Sequence, residues 1–358
     1  MCKIKPDGTF DQERCHSVVD LDEFGITGLT GKGCIADNEW IRGVNVPCHE
    51  SVIDPSCVLC LPNRKVYVVL LIEHGTYGYI KGARRIVNNH TDAVILKQPK
   101  TAGVSLLSEA LIQKVVYDSL MRGGFRNGAA KVHDILRLRD GTVCFTMDRM
   151  YGKNLQWLIE ERIGFDLINL IIECLIHISA MLSHLMNDIG MNHRDLKPSN
   201  IILHEHDPIE KTCNIAGISV TFMSRFDVSF IDFGFSCVGI EGGKGGGDVR
   251  AGKGKGYLPD DPCPKEGRDI YMFLAFIYFY TYRKLSCDMN ALFERWLNVG
   301  ECNMTGFLRS PADAEDNMDI LTWIYRITGD PRVQRFKTTP ERIFTDLTEM
   351  MGLKDGRA

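Results

Sequence analysis

The stretch that decides the fold is 193-HRDLKPSN-200, which is followed at positions 232–234 by Asp-Phe-Gly. Within eight positions it places a carboxylate at Asp195, an ammonium group at Lys197 and an amide at Asn200. The short apolar run 228–231 predicts a strand that leads directly into Asp232. These four polar side chains are the first candidates for a site that performs chemistry.

Upstream of this stretch, the sequence pattern is that of a β-sheet with one helix. Short runs rich in β-branched and aromatic residues predict five strands, at 66–72, 79–87, 91–97, 132–137 and 142–147. The dipeptide Asp140-Gly141 predicts a hairpin turn between the last two strands. Apolar residues at helical spacing predict a helix over 105–121.

The second half of the chain is mainly helical. Helical periodicity predicts helices at 154–162, 167–189, 269–282, 289–298, 317–327 and 340–351. Gly190 is expected to close the second of these as a C-cap. A strand-rich half followed by a helical half indicates an α+β fold of two lobes with a cleft between them.

The expected domain organisation has three parts. Residues 1–65 form a cysteine-rich extension, and residues 352–358 form a tail. Residues 66–351 form the two-lobed domain, with a first lobe and hinge at 66–150 and a second lobe at 151–351.

The stretch 193–200 resembles the catalytic loop of Ser/Thr protein kinases at all eight positions. The resemblance implies that Asp195 accepts the proton of the substrate hydroxyl and that Lys197 neutralises charge on the γ-phosphoryl group of ATP. It also implies that Asn200 and Asp232 bind Mg²⁺. The implied fold is the protein kinase-like fold, with a five-stranded antiparallel first lobe, one helix and a mainly helical second lobe. The implied partners are protein substrates with Ser or Thr hydroxyls.

The spacing after the loop departs from the family, because 32 positions separate Asn200 from Asp232. Residues 204–227 are therefore interpreted as an insertion that makes a surface excursion. Together with departures from the family pattern in the glycine-rich phosphate loop and in the activation segment, this insertion resembles divergent kinases of large DNA viruses.

Further matches to the family concern the nucleotide. Gly75 and Gly78 resemble the end of the glycine-rich phosphate loop, although Glu73 stands where the family has its first glycine. Lys97 resembles the lysine that contacts the α- and β-phosphates, with Ile95 in place of the usual alanine. Glu109, on the following helix, is its natural partner; a solvated surface Glu is the alternative.

The hinge and the end of the activation segment also match. Met147 corresponds to the gatekeeper, and the backbone groups of Asp148 and Met150 would bind the adenine base. Asp261 stands where the family has Glu, and the resemblance makes Arg335 its partner. Asp269 matches the acidic residue that braces the backbone of the catalytic loop.

The activation segment has no Ser, Thr or Tyr between Ser236 and Tyr257. Arg194, which in the family holds a phosphate made on this segment, therefore has none to hold there. We expect constitutive activity, or activation by a partner that orders the glycine-rich residues 239–256. The lysines and the arginine of that stretch make it basic, which favours acidic substrates; the alternative is that they only keep the stretch soluble.

The chain has 13 cysteines, six of them within its first 60 residues. The chain shows no apolar signal region, so we expect an intracellular protein, in cytoplasm or nucleus, with mostly reduced thiols. The other seven cysteines are interpreted as small buried hydrophobic residues. Cys57 and Cys60 form a CxxC pair that, with Cys48, His49 or Cys34, could hold structural Zn²⁺; reduced thiols without metal are the alternative.

Composition excludes some classes of partner. A net charge of −4 argues against bulk binding to nucleic acid or to an anionic membrane surface. The apolar stretch 270–282 has 13 residues and is too short to span a bilayer. Two functions remain: a Ser/Thr protein kinase that uses ATP and Mg²⁺, and a pseudokinase scaffold that binds a partner. Glu73 and Ile95 favour the scaffold, whereas the complete set of catalytic side chains favours the kinase.

Overall fold

A computed structural model of the chain describes residues 58–60, 66–74, 78–87, 90–101, 103–137, 142–239, 249–251, 261–298 and 317–351. These residues form two compact units. The first contains the described residues up to Asp118, residues 130–150 and the short described pieces 238–239 and 249–251. The second contains residues 119–129, 151–237 and the described residues from Asp261 onward.

The first unit is built on a six-stranded antiparallel sheet with the order β1-β2-β3-β4-β6-β5. Its strands are β1 Val58–Cys60, β2 Val66–His74, β3 Gly78–Val87, β4 His90–Pro99, β5 Val132–Arg137 and β6 Val143–Asp148. Five of them were predicted. The additional strand, β1, precedes residue 66 and extends the sheet at the outer side of β2.

Among the described residues of this unit one helix begins, α1 (Leu107–Arg122), whose last four residues belong to the second unit; it has the apolar face that its spacing predicts. Leu107, Ala110, Leu111 and Val115 are all buried. Removing such side chains from water is the main driving force that fixes the helix in place. Because Glu109 lies within the first turn of α1, that burial also fixes where its carboxylate points.

The second unit is mainly helical, as predicted. Its helices are α2 Leu155–Glu161, α3 Gly164–Ile189, α4 Arg268–Thr281, α5 Cys287–Leu297, α6 Asn317–Thr328 and α7 Pro340–Met350. Asn154 caps α2 by accepting a hydrogen bond of 2.8 Å from the backbone N–H of Trp157. Gly190 closes α3 in the left-handed conformation, with φ 55°, which confirms the predicted C-cap.

Helix α3 forms the centre of the second unit. Among the described residues it is the one helix long and apolar enough to cross a membrane by length and composition. The prediction about membrane spans concerned residues 270–282 and did not include this helix. In the structure, 67% of its most apolar window is buried inside the protein, as expected of a core helix.

The insertion between residues 193–200 and Asp232 is a long β-hairpin. Strands β9 (Ile201–Ile215) and β10 (Ile218–Phe230) pair antiparallel, with Ala216 and Gly217 at the tip, where φ is 50° and 82°. Two positive φ values are typical of a tight hairpin turn. The pairing brings the two ends of the insertion together, so Ile231 lies beside Asn200 although 32 positions separate Asn200 from Asp232. The remaining strands have two residues each: β7 Lys153–Asn154, β8 Met191–Asn192, β11 Cys237–Val238 and β12 Val249–Arg250.

Helix α3 holds the hairpin through Glu173. Its Oε1 accepts hydrogen bonds from the Ser224 hydroxyl at 2.7 Å, the Arg225 N–H at 2.7 Å and the Phe226 N–H at 3.0 Å. The pairing of β9 with β10 shifts register between Ser224 and Phe226. At such a bulge the backbone N–H groups lose their ladder partners, and the carboxylate supplies a replacement.

His177, one turn along α3, also faces the hairpin. Its Nε2 lies 3.1 Å from the Ser224 hydroxyl, and its ring packs edge-on against Phe222. Burial, with a further contribution from the charge of Lys211, lowers the pKa of His177 to about 3. The imidazole is therefore neutral in the folded protein at every pH at which the protein would normally be handled.

This burial predicts a loss of stability in mild acid. The unfolded chain takes up a proton at His177 below about pH 6.5, whereas the folded chain does so only near pH 3, so stability falls as the pH drops through this window. Between pH 7 and 5.5 the contribution of His177 amounts to about 1 kcal/mol. Urea unfolding of wild type and His177→Gln at both pH values should show a smaller pH effect in the variant. The exposed His204 provides the control, and an equal pH effect in His177→Gln and His204→Gln would contradict the assignment.

The cysteines depart from expectation at three positions. Cys237 and Cys263 form a disulfide, although each was interpreted as a small buried hydrophobic residue. The free cysteines of the described residues include Cys287, which is exposed rather than buried. The other three, Cys144, Cys174 and Cys213, are buried as predicted. Burial raises the pKa of the Cys174 thiol and raises that of Cys213 to about 11, so both stay protonated.

Candidate active site

The stretch 193–200 follows the two-residue strand β8 and is held by the first turn of α4. The Asp269 carboxylate accepts the backbone N–H of His193 at 2.7 Å and that of Arg194 at 2.9 Å. Arg194 has φ 64°, a left-handed conformation that is unfavourable for a residue with a side chain. The two bonds to Asp269 stabilise that conformation, so the predicted bracing role of Asp269 is confirmed.

Asp195 is the centre of a hydrogen-bonded cluster. Its side chain is almost fully buried. The Lys197 ammonium group lies 3.1 Å from each of its carboxylate oxygens and donates its hydrogen bond to Oδ1. The Asn200 Nδ2 donates to Oδ2 and to the Asp195 carbonyl, both at 2.9 Å. The structure thus brings together the three side chains that the sequence singled out in this loop.

Asp232 is brought to the same place through the backbone. Strand β10 ends at Phe230, and the N–H of the next residue, Ile231, donates to the Asn200 carbonyl at 3.0 Å. Asp232 follows at once, with φ 64°. Phe233 is fully buried, with its ring 5.2 Å from that of His193. A carboxylate in a strained conformation, adjacent to a buried anchor, is characteristic of a functional site.

The donor set suits a hard cation such as Mg²⁺. The Nδ2 of Asn200 is committed to Asp195, so Oδ1 is the amide atom that faces away from that carboxylate. Oxygen atoms from Asn200 and Asp232, completed by phosphate oxygens and water, match the usual ligands of Mg²⁺. Among the described residues, no cluster of three or more His, Cys, Asp or Glu side chains could hold a metal by itself.

The first unit contains the two side chains that were predicted to position the phosphates of the nucleotide. Lys97, on the central strand β4, donates to the Glu109 carboxylate at 2.5 Å. Both side chains are buried, so Glu109 is not the solvated surface residue of the alternative interpretation. An ion pair of this kind fixes the position of the ammonium group, which a free lysine side chain would not do.

The packing of the sheet requires glycine at position 78, in addition to its proposed role in binding phosphate. A Cβ atom at this position would lie 2.7 Å from the backbone oxygen of Gln98 on the neighbouring strand, which is too close for any other residue. The partner glycine of the predicted phosphate loop, Gly75, lies outside the described residues. The role of the two glycines with phosphate stays a prediction.

The predicted hinge follows β6. The Gln113 side chain on α1 contacts the Met147 sulfur at 3.2 Å. Asp148 donates its backbone N–H to the Lys131 carbonyl at 2.9 Å. Burial alone would raise the pKa of the Asp148 carboxyl, but the hydrogen bond from His133 at 2.7 Å, the charge of His133 and the contributions of Lys131 together outweigh it and lower that pKa. Met150 follows as the last residue of this segment, and base recognition by Asp148 and Met150 stays a prediction.

Asp261 has other partners than the one predicted. Arg335 is exposed and is not its partner. The buried Asp261 carboxylate instead lies 2.6 Å from Arg268, 2.7 Å from Lys265 and 3.8 Å from Arg194. Burial, together with the charge of Arg268, lowers the pKa of Lys265 to about 8 in spite of this carboxylate. We call Asp261 and these three cations the Asp261 cluster.

Tyr325 also belongs to the site, although it was not among the site residues predicted from the sequence. Its hydroxyl donates to Asp195 Oδ1 and accepts a hydrogen bond from Lys197 at 3.4 Å. It lies on α6, 130 positions beyond Asp195. The helical period of residues 317–327 was the only signal in the sequence, and that signal concerns packing rather than chemistry.

No family model matches the sequence, and no curated protein matches it. Solved structures that the chain is similar to include protein kinase domains. One is the structure of vaccinia related kinase 3, with a TM-score of 0.45, 10% identity, and coverage of 86% of this chain and 93% of that one. Another is the PknI kinase domain of Mycobacterium tuberculosis, with a TM-score of 0.42, 13% identity, and coverage of 83% of this chain and 99% of that one.

The zinc prediction falls almost entirely outside the described residues. Cys48, His49 and Cys57 lie outside them, and of Cys60 only the backbone, in β1, is described. The same is true of most of the glycine-rich stretch 239–256. The zinc site and the role of the glycine-rich stretch therefore stay predictions.

Proposed function

We propose that the chain is a Ser/Thr protein kinase that transfers the γ-phosphate of ATP to Ser and Thr hydroxyls of proteins. The observation that carries the proposal is the cluster of Asp195, Lys197 and Asn200, joined by the Asn200 carbonyl to the residue before Asp232. Positioning and charge stabilisation are most of what catalysis of phosphoryl transfer requires. The cluster supplies both.

The reaction follows from the position of each group. The acceptor oxygen forms a bond to the γ-phosphorus, the bond from that phosphorus to the β,γ-bridging oxygen breaks, and ADP leaves. Asp195 orients the hydroxyl and receives its proton. Lys197, whose side chain is 30% exposed, can reach the transferred phosphoryl group and neutralise part of its charge.

The metal and the nucleotide have their own groups. Asn200 and Asp232 would hold Mg²⁺, which supplies charge neutralisation to the phosphates when bound. Lys97, fixed by Glu109, would contact the α- and β-phosphates, and Asp148 and Met150 would bind the base. Gly75 and Gly78 would offer backbone N–H groups to the phosphates.

The Asp261 cluster supports activity without a phosphate on the activation segment. Arg194 donates to the Phe235 carbonyl at 3.2 Å and lies 3.8 Å from Asp261, so it already has a carboxylate beside it. A carboxylate carries the same sign of charge as a phosphate and can serve the same guanidinium group. A requirement for phosphate between residues 237 and 256 for full activity would contradict this part of the proposal.

The acceptor class can be tested by product analysis. The purified chain is incubated with γ-³²P-ATP, Mg²⁺ and a mixture of protein acceptors and small alcohols, and the labelled products are separated. We expect label on protein, and acid hydrolysis of that protein should release labelled phosphoserine and phosphothreonine. Label confined to small molecules, or to phosphotyrosine, would contradict the Ser/Thr assignment.

A scaffold that binds a partner without transfer is the second candidate. Its support is Ile95, a bulkier side chain than the family has at this place, on the same strand as Lys97. Binding of ATP without any transfer by the wild-type chain would favour it.

A further inference from the structure

Tyr325 is held where it is by the packing of α6 on α4. The neighbouring Ile324 and Thr328 are fully buried. The Tyr325 ring meets Phe276 of α4 edge-on, with ring centroids 5.9 Å apart. Helix α4 also carries Asp269, which holds the backbone of the catalytic loop. One helix therefore positions both the loop and the phenol that touches it.

The phenol closes a triangle of polar groups. Its hydroxyl donates to Asp195 Oδ1 and accepts from Lys197, and Lys197 donates to the same Oδ1. A phenolic oxygen has one hydrogen to donate and can accept as well, so it serves both partners at once. An isolated Lys197 side chain could swing away from Asp195, whereas the triangle limits this motion.

Both oxygens of the Asp195 carboxylate have hydrogen-bond donors. A carboxylate offers about two acceptor sites on each oxygen. Oδ1 receives the Tyr325 bond, Oδ2 receives the Asn200 bond, and the Lys197 ammonium group lies 3.1 Å from each oxygen. Tyr325, Asn200 and Lys197 together therefore set the orientation in which the carboxylate meets a substrate hydroxyl.

From this geometry we propose that Tyr325 is a positioning residue for the transfer reaction, a proposal that rests on the proposed function. It fixes Asp195 and Lys197 relative to each other, and its hydrogen bond to Oδ1 holds the orientation of the Asp195 carboxylate. It takes no part in the bond changes themselves. Its effect on catalysis acts through Asp195 and Lys197.

The kinetic test uses Tyr325→Phe, which keeps the ring against Phe276 and removes only the hydroxyl. We expect kcat to fall about tenfold, while KM for ATP and for the protein acceptor stays within about twofold, because the lost contact acts in the transition state rather than in binding. Tyr282→Phe is the matched control, since this tyrosine is also half-buried and packs on an α4 ring, Tyr278, at 5.9 Å. The control should keep wild-type kinetics.

Two kinetic outcomes would overturn the proposal. An unchanged kcat would show that the hydroxyl positions nothing. A higher kcat or a lower KM for the acceptor would show that the phenol occupies the place of the substrate hydroxyl and inhibits the enzyme. Wild-type chain without any transfer activity would remove the proposed function together with this inference.

A spectroscopic measurement tests the contact independently of activity. The chain has 11 tyrosines, so labelling them with ¹³C at Cζ yields a countable set of signals. The signal missing from Tyr325→Phe identifies Tyr325. We expect that signal to shift in Asp195→Ala, and no shift would disprove the contact. If Tyr325→Phe fails to fold and leaves the signal unassigned, an unchanged position of all 11 signals in Asp195→Ala would disprove the contact.

Discussion

Asp195→Asn is expected to lower kcat by about 10²–10⁴-fold, the usual contribution of a positioned general base. Asparagine has nearly the same shape as aspartate, but its amide accepts no proton and carries no charge to hold Lys197. The Asn200 amide, which now donates to Oδ2, would also face a changed partner. Initial rates of ³²P transfer at saturating ATP measure the effect.

The control for this variant is Asp166→Asn. Asp166 is exposed in the first turn of α3, so the substitution removes the same charge from the same unit without touching the catalytic loop. Its kcat should equal that of wild type. A rate for Asp195→Asn within a factor of two of wild type would show that the cluster is not the catalytic machinery.

Asp261→Asn is expected to have the largest effect on stability. The carboxylate is the negative centre of the Asp261 cluster, and Arg268, Lys265 and Arg194 are all buried around it. Removing one partner of a buried ion pair leaves uncompensated charge and typically costs about 3–5 kcal/mol. Urea unfolding of the variant measures the loss.

A matched control comes from Asp330→Asn. Asp330 lies 2.6 Å from Arg332, the same separation as between Asp261 and Arg268, but Arg332 is 88% exposed. Water compensates the charges of a surface pair, so this variant should lose much less stability. Equal losses in the two variants would mean that burial of the Asp261 cluster does not determine its importance.

The parts of the structure that the sequence predicted are those determined by local pattern. The α3 helix and its cap at Gly190 follow from apolar periodicity and from the tolerance of glycine for positive φ. The contact of Lys97 with Glu109 followed because Glu109 is the one acidic residue near enough on the next helix. Asp269 was found through its place in the family pattern.

The features that the sequence did not predict are contacts between distant segments and strands without a clear alternation of apolar and polar residues. The hairpin β9–β10 contains charged residues and Pro208, so its strands do not show the alternation that marks a half-buried strand. The partners of Asp261 depend on where three side chains converge, which spacing alone does not indicate. Tyr325 and the disulfide of Cys237 with Cys263 likewise require the folded chain to bring the partners together.

The central claim is that this chain catalyses transfer of phosphate, and the most direct test is the time course with the purified wild-type protein. The chain is mixed with γ-³²P-ATP and a protein acceptor, with Mg²⁺ in one series and with excess chelator in the other. The account predicts label on the acceptor that grows with time and with enzyme concentration, and only when Mg²⁺ is present. Label no greater than that produced by Asp195→Asn would contradict it.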